Sequence, residues 1–326
     1  MNKKSITKTK LSKEEITKIT QEAFGRDVEL KNITELTDGF FNTAYMIGLK
    51  DGEQTVLKVG PREDVQVMRY EKNLMETEVF ALNKMHRIEG FPVPKVLYYD
   101  KSRNIIDNQF FFMEFVEGTS LDKISEELSE KEYNSISSEL GKITNKINSI
   151  ESDYFGYISQ ENKRFSSWAE AFLNMIKELL NDASEIGIFL PIKDDKLYNL
   201  ISAQKYLLNK VKTSVLVHKD LWAGNIFVDP KSAEITGIVD WERALFGDGL
   251  LDIVCGFLLD NKNFIQSYLG RDSLTEDEEI RCILYKIYLY LIMIIESDYR
   301  KYQEQKITNW ARSELDKTVN DLKMKT

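Results

Sequence analysis

Three polar side chains, Asp220, Asn225 and Asp240, stand in a stretch of otherwise strongly apolar sequence running from Val215 to Ile253. Val215, Leu216 and Val217 read as a short buried strand that delivers His218, Lys219 and Asp220 to a loop ending at Asn225. A second apolar run starts at Ile226, Asp229 and Pro230 supply a turn, and a third run from Ile235 to Val239 stops at Asp240. A hairpin and the strand before it would therefore hold the three polar groups close together. A carboxylate beside a substrate hydroxyl can take its proton, while an amide oxygen and a second carboxylate are hard ligands of the kind magnesium accepts. Magnesium keeps several waters and shares its shell with phosphates, so this sparse set suits it.

Written out, His218-Lys219-Asp220 followed by Asn225 and then Asp240-Trp241-Glu242 resembles the H-R-D-x-x-x-x-N and D-F-G signatures of protein kinases. The stretch is more similar still to the aminoglycoside phosphotransferase family, with its H-x-D-x-x-x-x-N and I-D-W-E. Gly247-Asp248 and Leu251-Asp252-Ile253 resemble that family's continuation. The resemblance implies an α+β, bilobal, protein-kinase-like fold, with a small N-terminal lobe built on an antiparallel sheet (1–116) and a larger, mainly helical C-terminal lobe (117–326). It implies transfer of the γ-phosphoryl group of ATP or GTP, with Mg2+, to a hydroxyl of a small molecule. An aminoglycoside antibiotic is the first expectation. Choline, a sugar or an amino-sugar adduct is the alternative, and a catalytically inactive nucleotide-binding regulator a further one. Asp220 would be the catalytic carboxylate, Asn225 and Asp240 the metal ligands, and His218 a structural residue bonded to backbone. Lys219 stands where the family often has a small residue, usually glycine, and a long cation there could alter the acceptor or contact a phosphate.

The elements that must position these groups can be read in order. Ser12 and Glu15 form a capping box before a helix with Ile16, Ile19, Ala23 and Phe24 on one face, closed by Gly25. β-like runs follow at Val28 to Leu36, Ala44 to Leu49 and Thr55 to Val59, the last two joined by an Asp51-Gly52 turn. The intervening Thr37 to Thr43 loop is by itself an ordinary hairpin turn. In the resembling family such a loop covers the nucleotide phosphates, which assigns Gly39, Phe40 and Thr43 to the nucleotide. Lys58 lies inside an apolar strand, where an ammonium is costly without an anionic partner. The resemblance puts it on the α and β phosphates. Its carboxylate partner should come from the next helix, Val65 to Arg87, where spacing does not choose among Glu71, Glu76 and Glu78; the family's E-x-x-x-L-x-x-[LM] run selects Glu78.

Phe110 to Val116 is a strongly apolar strand. In the kinase-like plan it is the hinge, with backbone groups of Glu114 and Val116 on the adenine edge. Beyond it the pattern is helical: a capping box at Ser129 and Glu132, amphipathic segments at Trp168 to Leu180 and Leu197 to Val211, a helix capped by Thr275 and Glu278 through Tyr302, and a last one from Ile307 to Leu322. The Thr275 helix is apolar beyond one face and reads as buried, with Glu296 and Asp298 at a solvated end or against an amine-bearing substrate.

The chain has 326 residues and is 42% hydrophobic, enough for a sizeable core. Its 53 acidic against 44 basic residues leave a charge of -9, which disfavours nucleic acid as a partner and is compatible with a cationic small molecule. Cys255 and Cys282 sit in apolar helical patterns and read as buried thiols. Two histidines exclude a histidine-rich metal site. The N-terminus lacks the apolar core of a secretory signal, and Cys282 to Ile295, broken by Lys286, is too short to span a bilayer, so the expectation is a cytoplasmic protein without membrane partners. Oligomeric state is not readable.

Overall fold

The computed structural model describes residues 5–37, 39, 41–302 and 305–325. A small lobe is built on five antiparallel strands, β1 (Leu30–Leu36), β2 (Thr43–Leu49), β3 (Gln54–Arg62), β4 (Val96–Asp100) and β5 (Asn108–Glu114), in the order β1-β2-β3-β5-β4. Helix α1 (Lys13–Phe24), opened by the Ser12/Glu15 capping box, lays Ile16 and Ile19 on one face of the sheet against Leu57, Val59, Phe110 and Phe112. Side chains alternate along a strand. Val56, Phe111 and Met113 therefore leave by the other face into the main core, and Lys58 leaves with them. That face meets helix α2 (Leu74–His86) and the cleft between lobes.

Helix α2 is shorter than the sequence pattern suggests. The expected span began at Val65, but residues 65–68 are not helical, Arg69–Glu71 forms one 3-10 turn, and Asn73 takes a left-handed conformation (φ 61°) before the helix starts. Contacts to the other lobe hold this strap away from helical geometry. Arg69 donates to Asp182 and Glu185, and Arg300 donates to Glu71 at 2.5 Å.

The large lobe is mainly helical. The Glu130–Ile147 and Glu276–Tyr299 helices start at the capping boxes read from the sequence. The Trp168–Glu185 helix runs further than expected, and the segment read as one helix from Leu197 to Val211 is two, Asp194–Ser202 and Lys205–Leu208. Glu276–Tyr299 is buried along most of its length, including Ile287, Leu291 and Ile295, as its all-round apolar character requires. Glu296 is not at a solvated end, being 8% exposed and paired with Arg243 and Arg300; Asp298 is exposed. Two small sheets carry the functional loops. One joins Ser214–Val217 to Leu245–Gly247, and the other pairs Ile226–Val228 with Ile235–Ile238. Both cysteines are free and buried. Among the described residues no helix is long and apolar enough to cross a membrane.

Candidate active site

The loop after Val217 is fixed from two sides. His218 is fully buried; its Nε2 donates to the Val239 carbonyl (3.1 Å) and its Nδ1 accepts from the Asp220 amide (3.2 Å), which sets the tautomer. Burial pushes the imidazole down to about 4, so the ring is neutral and structural. Its ring packs 4.4 Å from Trp241. On the other side the carboxylate of Asp252, fully buried, accepts from the Lys219 amide (2.7 Å) and from Asn148 (3.1 Å). Lys219 holds a left-handed φ of 63°. That turn, strained for a lysine, is stabilised by the Asp252 bond and presents Asp220 at the loop's tip.

Asn225 donates its amide nitrogen to the Asp220 carbonyl at 2.8 Å, which leaves its oxygen as the ligand atom. Asp240, also left-handed (φ 68°), ends the hairpin. Lys58 reaches it from β3: Nζ donates to Asp240 Oδ1 at 2.5 Å and to Glu78 Oε1 at 2.6 Å. Burial would lower the Lys58 ammonium, but Asp240 and Glu78 override it and hold it well above its ordinary value. Burial likewise works to raise Asp240, and the Lys58 charge beside it brings the carboxyl below its usual range. Glu78, fully buried, is pushed up to about 7 by burial, against the pull of Lys58. Of the three glutamates that spacing left open, Glu78 meets Lys58 and Glu71 meets Arg300, while Glu76 is 3.8 Å from Lys101 near the surface.

The other nucleotide candidates are more mixed. Gly39 is exposed, and a Cβ there would meet only the Asn42 carbonyl at 3.8 Å, so no steric need for glycine exists. Phe40 lies outside the described residues. Thr43 begins β2 with its hydroxyl buried and without a hydrogen-bond partner. The Glu114 amide donates to the Lys95 carbonyl (2.9 Å) and so is not open to a ligand. Val116 lies half-buried over Gly237, where a Cβ would come within 2.5 Å of Val116 Cγ1.

Sequence reasoning did not single out Asn42, Glu242 or Arg243. Asn42 Nδ2 donates to Glu242 Oε2 at 2.6 Å, joining the loop before β2 to the other lobe. Glu78, Asp240 and Glu242 each offer an oxygen within 4.8 Å of one another, and Glu78 Oε2 and Asn42 Oδ1 are buried without partners. Burial and the Asp240 charge push Glu242 well up. This density of oxygen atoms, with Asn225 nearby, fits a hard divalent cation. Arg243, two residues beyond the recognised Asp240-Trp241, has its Nε 3.9 Å from Asp220 Oδ2 and donates to Glu296 at 3.1 Å. Burial raises Asp220 to about 6, opposed mainly by Arg243. A cavity of about 880 Å³ lies elsewhere, between the strap near Asp64 and Val65 and the Phe189, Tyr299 and Arg312 side of the large lobe. It contains none of these groups, so shape alone would have pointed away from the chemistry.

Among curated sequences, the mouse acyl-CoA dehydrogenase family member 11 is 25% identical over 181 residues, 53% of this chain and 22% of its own length. The probable acyl-CoA dehydrogenase IBR3 of Arabidopsis thaliana is 22% identical over 226 residues, 68% of this chain and 27% of its own. The chain thus spans about a quarter of the length of these relatives. Among solved structures, a putative fructosamine-3-kinase from Thermobifida fusca superposes with a TM-score of 0.67 at 19% identity, covering 95% of this chain and 98% of that one. A thermostable mutant of the aminoglycoside phosphotransferase APH(4)-Ia, in ternary complex with AMP-PNP and hygromycin B, gives 0.65 at 17% identity, over 94% and 98%. At these identities the structures establish the bilobal kinase-like fold. The model of the phosphotransferase enzyme family matches residues 32–279, from β1 through the start of the long buried helix, and the chain belongs to that family.

Proposed function

We propose that this protein is a kinase of a small molecule, moving the γ-phosphoryl group of ATP or GTP to an acceptor hydroxyl. The observation that carries the reading is the Lys58 to Asp240 contact of 2.5 Å, which brings the small lobe's ammonium to the large lobe's loop pair holding Asp220 and Asn225. Residues 1–116 act as the nucleotide clamp and 117–326 as the catalytic and acceptor lobe. Lys58, oriented by Glu78, binds the α and β phosphates. The loop containing Gly39, Phe40 and Thr43 covers them, and the Glu114 carbonyl and Val116 hold the base. Asp240 and Asn225 are the Mg2+ ligands, and a bound magnesium neutralises charge on the phosphates and aligns them.

In the transfer the acceptor oxygen bonds to the γ phosphorus as the bond to the β–γ bridging oxygen breaks, and the hydroxyl proton passes to Asp220. The transition state is loose and asks little base strength, so positioning supplies most of the acceleration. An Asp220 carboxyl near 6 is ionised at neutral pH and basic enough to receive that proton. The structural neighbours named for hygromycin B and for fructosamine kinase activity make aminoglycosides and amino-sugar adducts the first acceptors to try, with choline and sugars after them. The buried free thiols fit a reducing, cytoplasmic setting.

The test is nucleotide-dependent ADP or GDP release by the purified chain with magnesium, across an acceptor panel, alongside Asp220→Asn. The kinase reading expects acceptor-stimulated release lost in the variant while Mg·ATP still binds. A chain that binds Mg·ATP and releases no product with any acceptor is the regulatory module instead. A chain that does not bind Mg·ATP refutes both.

A further inference from the structure

Every other strongly buried cation around the cleft has a carboxylate. Lys58 has Glu78 and Asp240, Arg243 has Glu296, Arg300 has Glu71 and Glu296, and Arg281 has Asp248. Lys219, 3% exposed, has none within ion-pair distance among the described residues. Its Nζ donates to the Tyr288 hydroxyl at 3.1 Å and lies 5.0, 5.9 and 5.4 Å from the ring centres of Tyr70, Tyr157 and Tyr288. Aromatic faces attract a cation but do not replace an anion, and an ammonium buried without one is costly. Burial lowers it to about 8, still protonated for the most part at neutral pH.

The position of this ammonium gives it a use. Lys219 precedes Asp220 and shares a small pocket with Arg243, Tyr70, Tyr157 and Gln160. Arg243 is the group whose Nε lies 3.9 Å from Asp220. The pocket has room for about 10 Å³, the size of a single water, because the strap carrying Tyr70 closes it. Its charges do not suit a polyamine. Against Lys72, Lys219 and Arg243 its lining has one acid, Glu242, which accepts from Asn42, and the neighbouring Glu296 is committed to Arg243 and Arg300.

We propose that Lys219 and Arg243 form an anion subsite beside Asp220, so that the acceptor is a hydroxyl compound bearing a carboxylate or phosphate group, admitted when Tyr70 and its strap move aside. This rests on the kinase reading for the word acceptor, but the anion site can be tested without turnover. The full chain is labelled with 13C at lysine Cε, the Lys219 signal is assigned by its absence in Lys219→Met, and Mg·ADP is added to fill the donor site. Glycolate and inorganic phosphate are then titrated in, with ethylene glycol as the neutral control. A saturable shift of the Lys219 signal with either anion and none with ethylene glycol is expected. A signal unmoved by both anions overturns the proposal. The better of the two anions distinguishes carboxylate from phosphate.

Methionine fills the tyrosine cage with a similar chain, and an unchanged melting temperature with retained Mg·ATP binding shows that the variant is folded. In turnover, hydroxycarboxylates and sugar phosphates should exceed neutral polyols and aminoglycosides. Lys219→Met should raise KM for them at least tenfold with little change in kcat. Preferred turnover of an aminoglycoside, unaffected by Lys219→Met, overturns the subsite while leaving the kinase reading intact. An anion-induced shift in a chain that fails to bind Mg·ATP does the reverse.

Discussion

Replacing Lys58 with methionine should change not only stability but how stability depends on pH. Glu78, Asp240 and Glu242 crowd within 4.8 Å, and the Lys58 ammonium is the cation in contact with two of them. Glu78 sits near 7 even with that ammonium present, against an ordinary 4.5. Without it, the folded protein must carry Glu78 protonated at neutral pH, while the unfolded chain leaves it ionised. Glu78 is then held above 7, and its extra proton costs the variant stability relative to the parent only above that pH. Breaking a buried pair from one side typically costs about 3–5 kcal/mol, which sets the scale at neutral pH. The folded pKa is raised, so the contribution is favourable at low pH and lost as pH climbs. The penalty should therefore be least below about pH 7, where Glu78 is protonated in parent and variant alike, and should grow by up to about 1.4 kcal/mol for each unit above it. Urea unfolding followed by the fluorescence of the buried Trp168 and Trp241 reads this directly. In the double variant with Glu78→Gln the pH slope should vanish and most of the stability return. A Lys58→Met protein as stable as the parent at pH 7, or no more destabilised at pH 9 than at pH 7, would refute the reasoning.

If Asp220 receives the acceptor proton, the rate should fall as pH drops through about 6. Arg243→Gln should move that limb to higher pH, because the guanidinium favours the carboxylate form; a limb that stays put removes Arg243 from the environment of Asp220. His218 should remain neutral, with its proton on Nε2, down to about pH 4 in an imidazole NMR titration. The linked stability is full above the ordinary 6.5 and is lost as pH falls through 4; a His218 signal titrating near 6.5 contradicts the buried, backbone-bonded ring. Gly237→Ala places a Cβ within 2.5 Å of Val116 Cγ1 and should cost about 1–3 kcal/mol in the same urea assay, with Val116→Ala restoring most of it. An unaffected Gly237→Ala protein would mean that the segment after β5 does not rest on this hairpin.

What the sequence made legible was local. The capping boxes at Ser12, Ser129 and Thr275 are four-residue motifs whose hydrogen bonds close within about one turn, and each opens a helix. The apolar runs of β3 and β5 marked strands, and the structure buries both their faces, with Leu57 and Phe112 turned to α1 and Val56 and Met113 to the main core. The order of polar residues from His218 to Asp240 likewise carried over, because strand, loop and hairpin are set by neighbours in sequence. Where the reading failed, partners were far apart. The strap before α2 has helical periodicity, yet Arg69 binds Asp182 across 113 positions and Glu71 binds Arg300 across 229. Glu296 looked like a helix end because the arginines that bury it are visible only in three dimensions. The tyrosine cage of Lys219 is drawn from three separate segments, so the sequence marked the lysine as unusual without saying what surrounded it.

The contacts between the lobes divide into two sets with different fates. Inside the cleft, Lys58 holds Asp240 and Asn42 holds Glu242, each a bond between groups that the proposed reaction assigns to phosphates or lies beside. Outside it are Arg69 with Asp182, and Glu71 with Arg300, whose guanidinium also lies 5.0 Å from the ring of Phe41 in the loop before β2. On the proposed reading, a triphosphate entering on Lys58 would substitute its own oxygens for the Asp240 carboxylate and free Asp240 for a cation, so that charge pairs would be exchanged and none left bare. The outer pairs can persist through that exchange and keep the lobes in register while the inner ones turn over. Tyr70, though, is carried on the strap that the outer pairs fasten, and its ring closes the pocket beside Asp220. Nucleotide entry and acceptor entry therefore place opposite demands on one molecule: the first needs the strap held, and the second needs it loosened. Partly exposed Arg69, whose bonds include one to the exposed Glu185, is the weaker of the two fastenings, and the fully buried Arg300 to Glu71 pair the stronger. Opening is thus expected to begin at Arg69 and to pivot about Glu71, lifting Tyr70 while α2 and Glu78 stay in place.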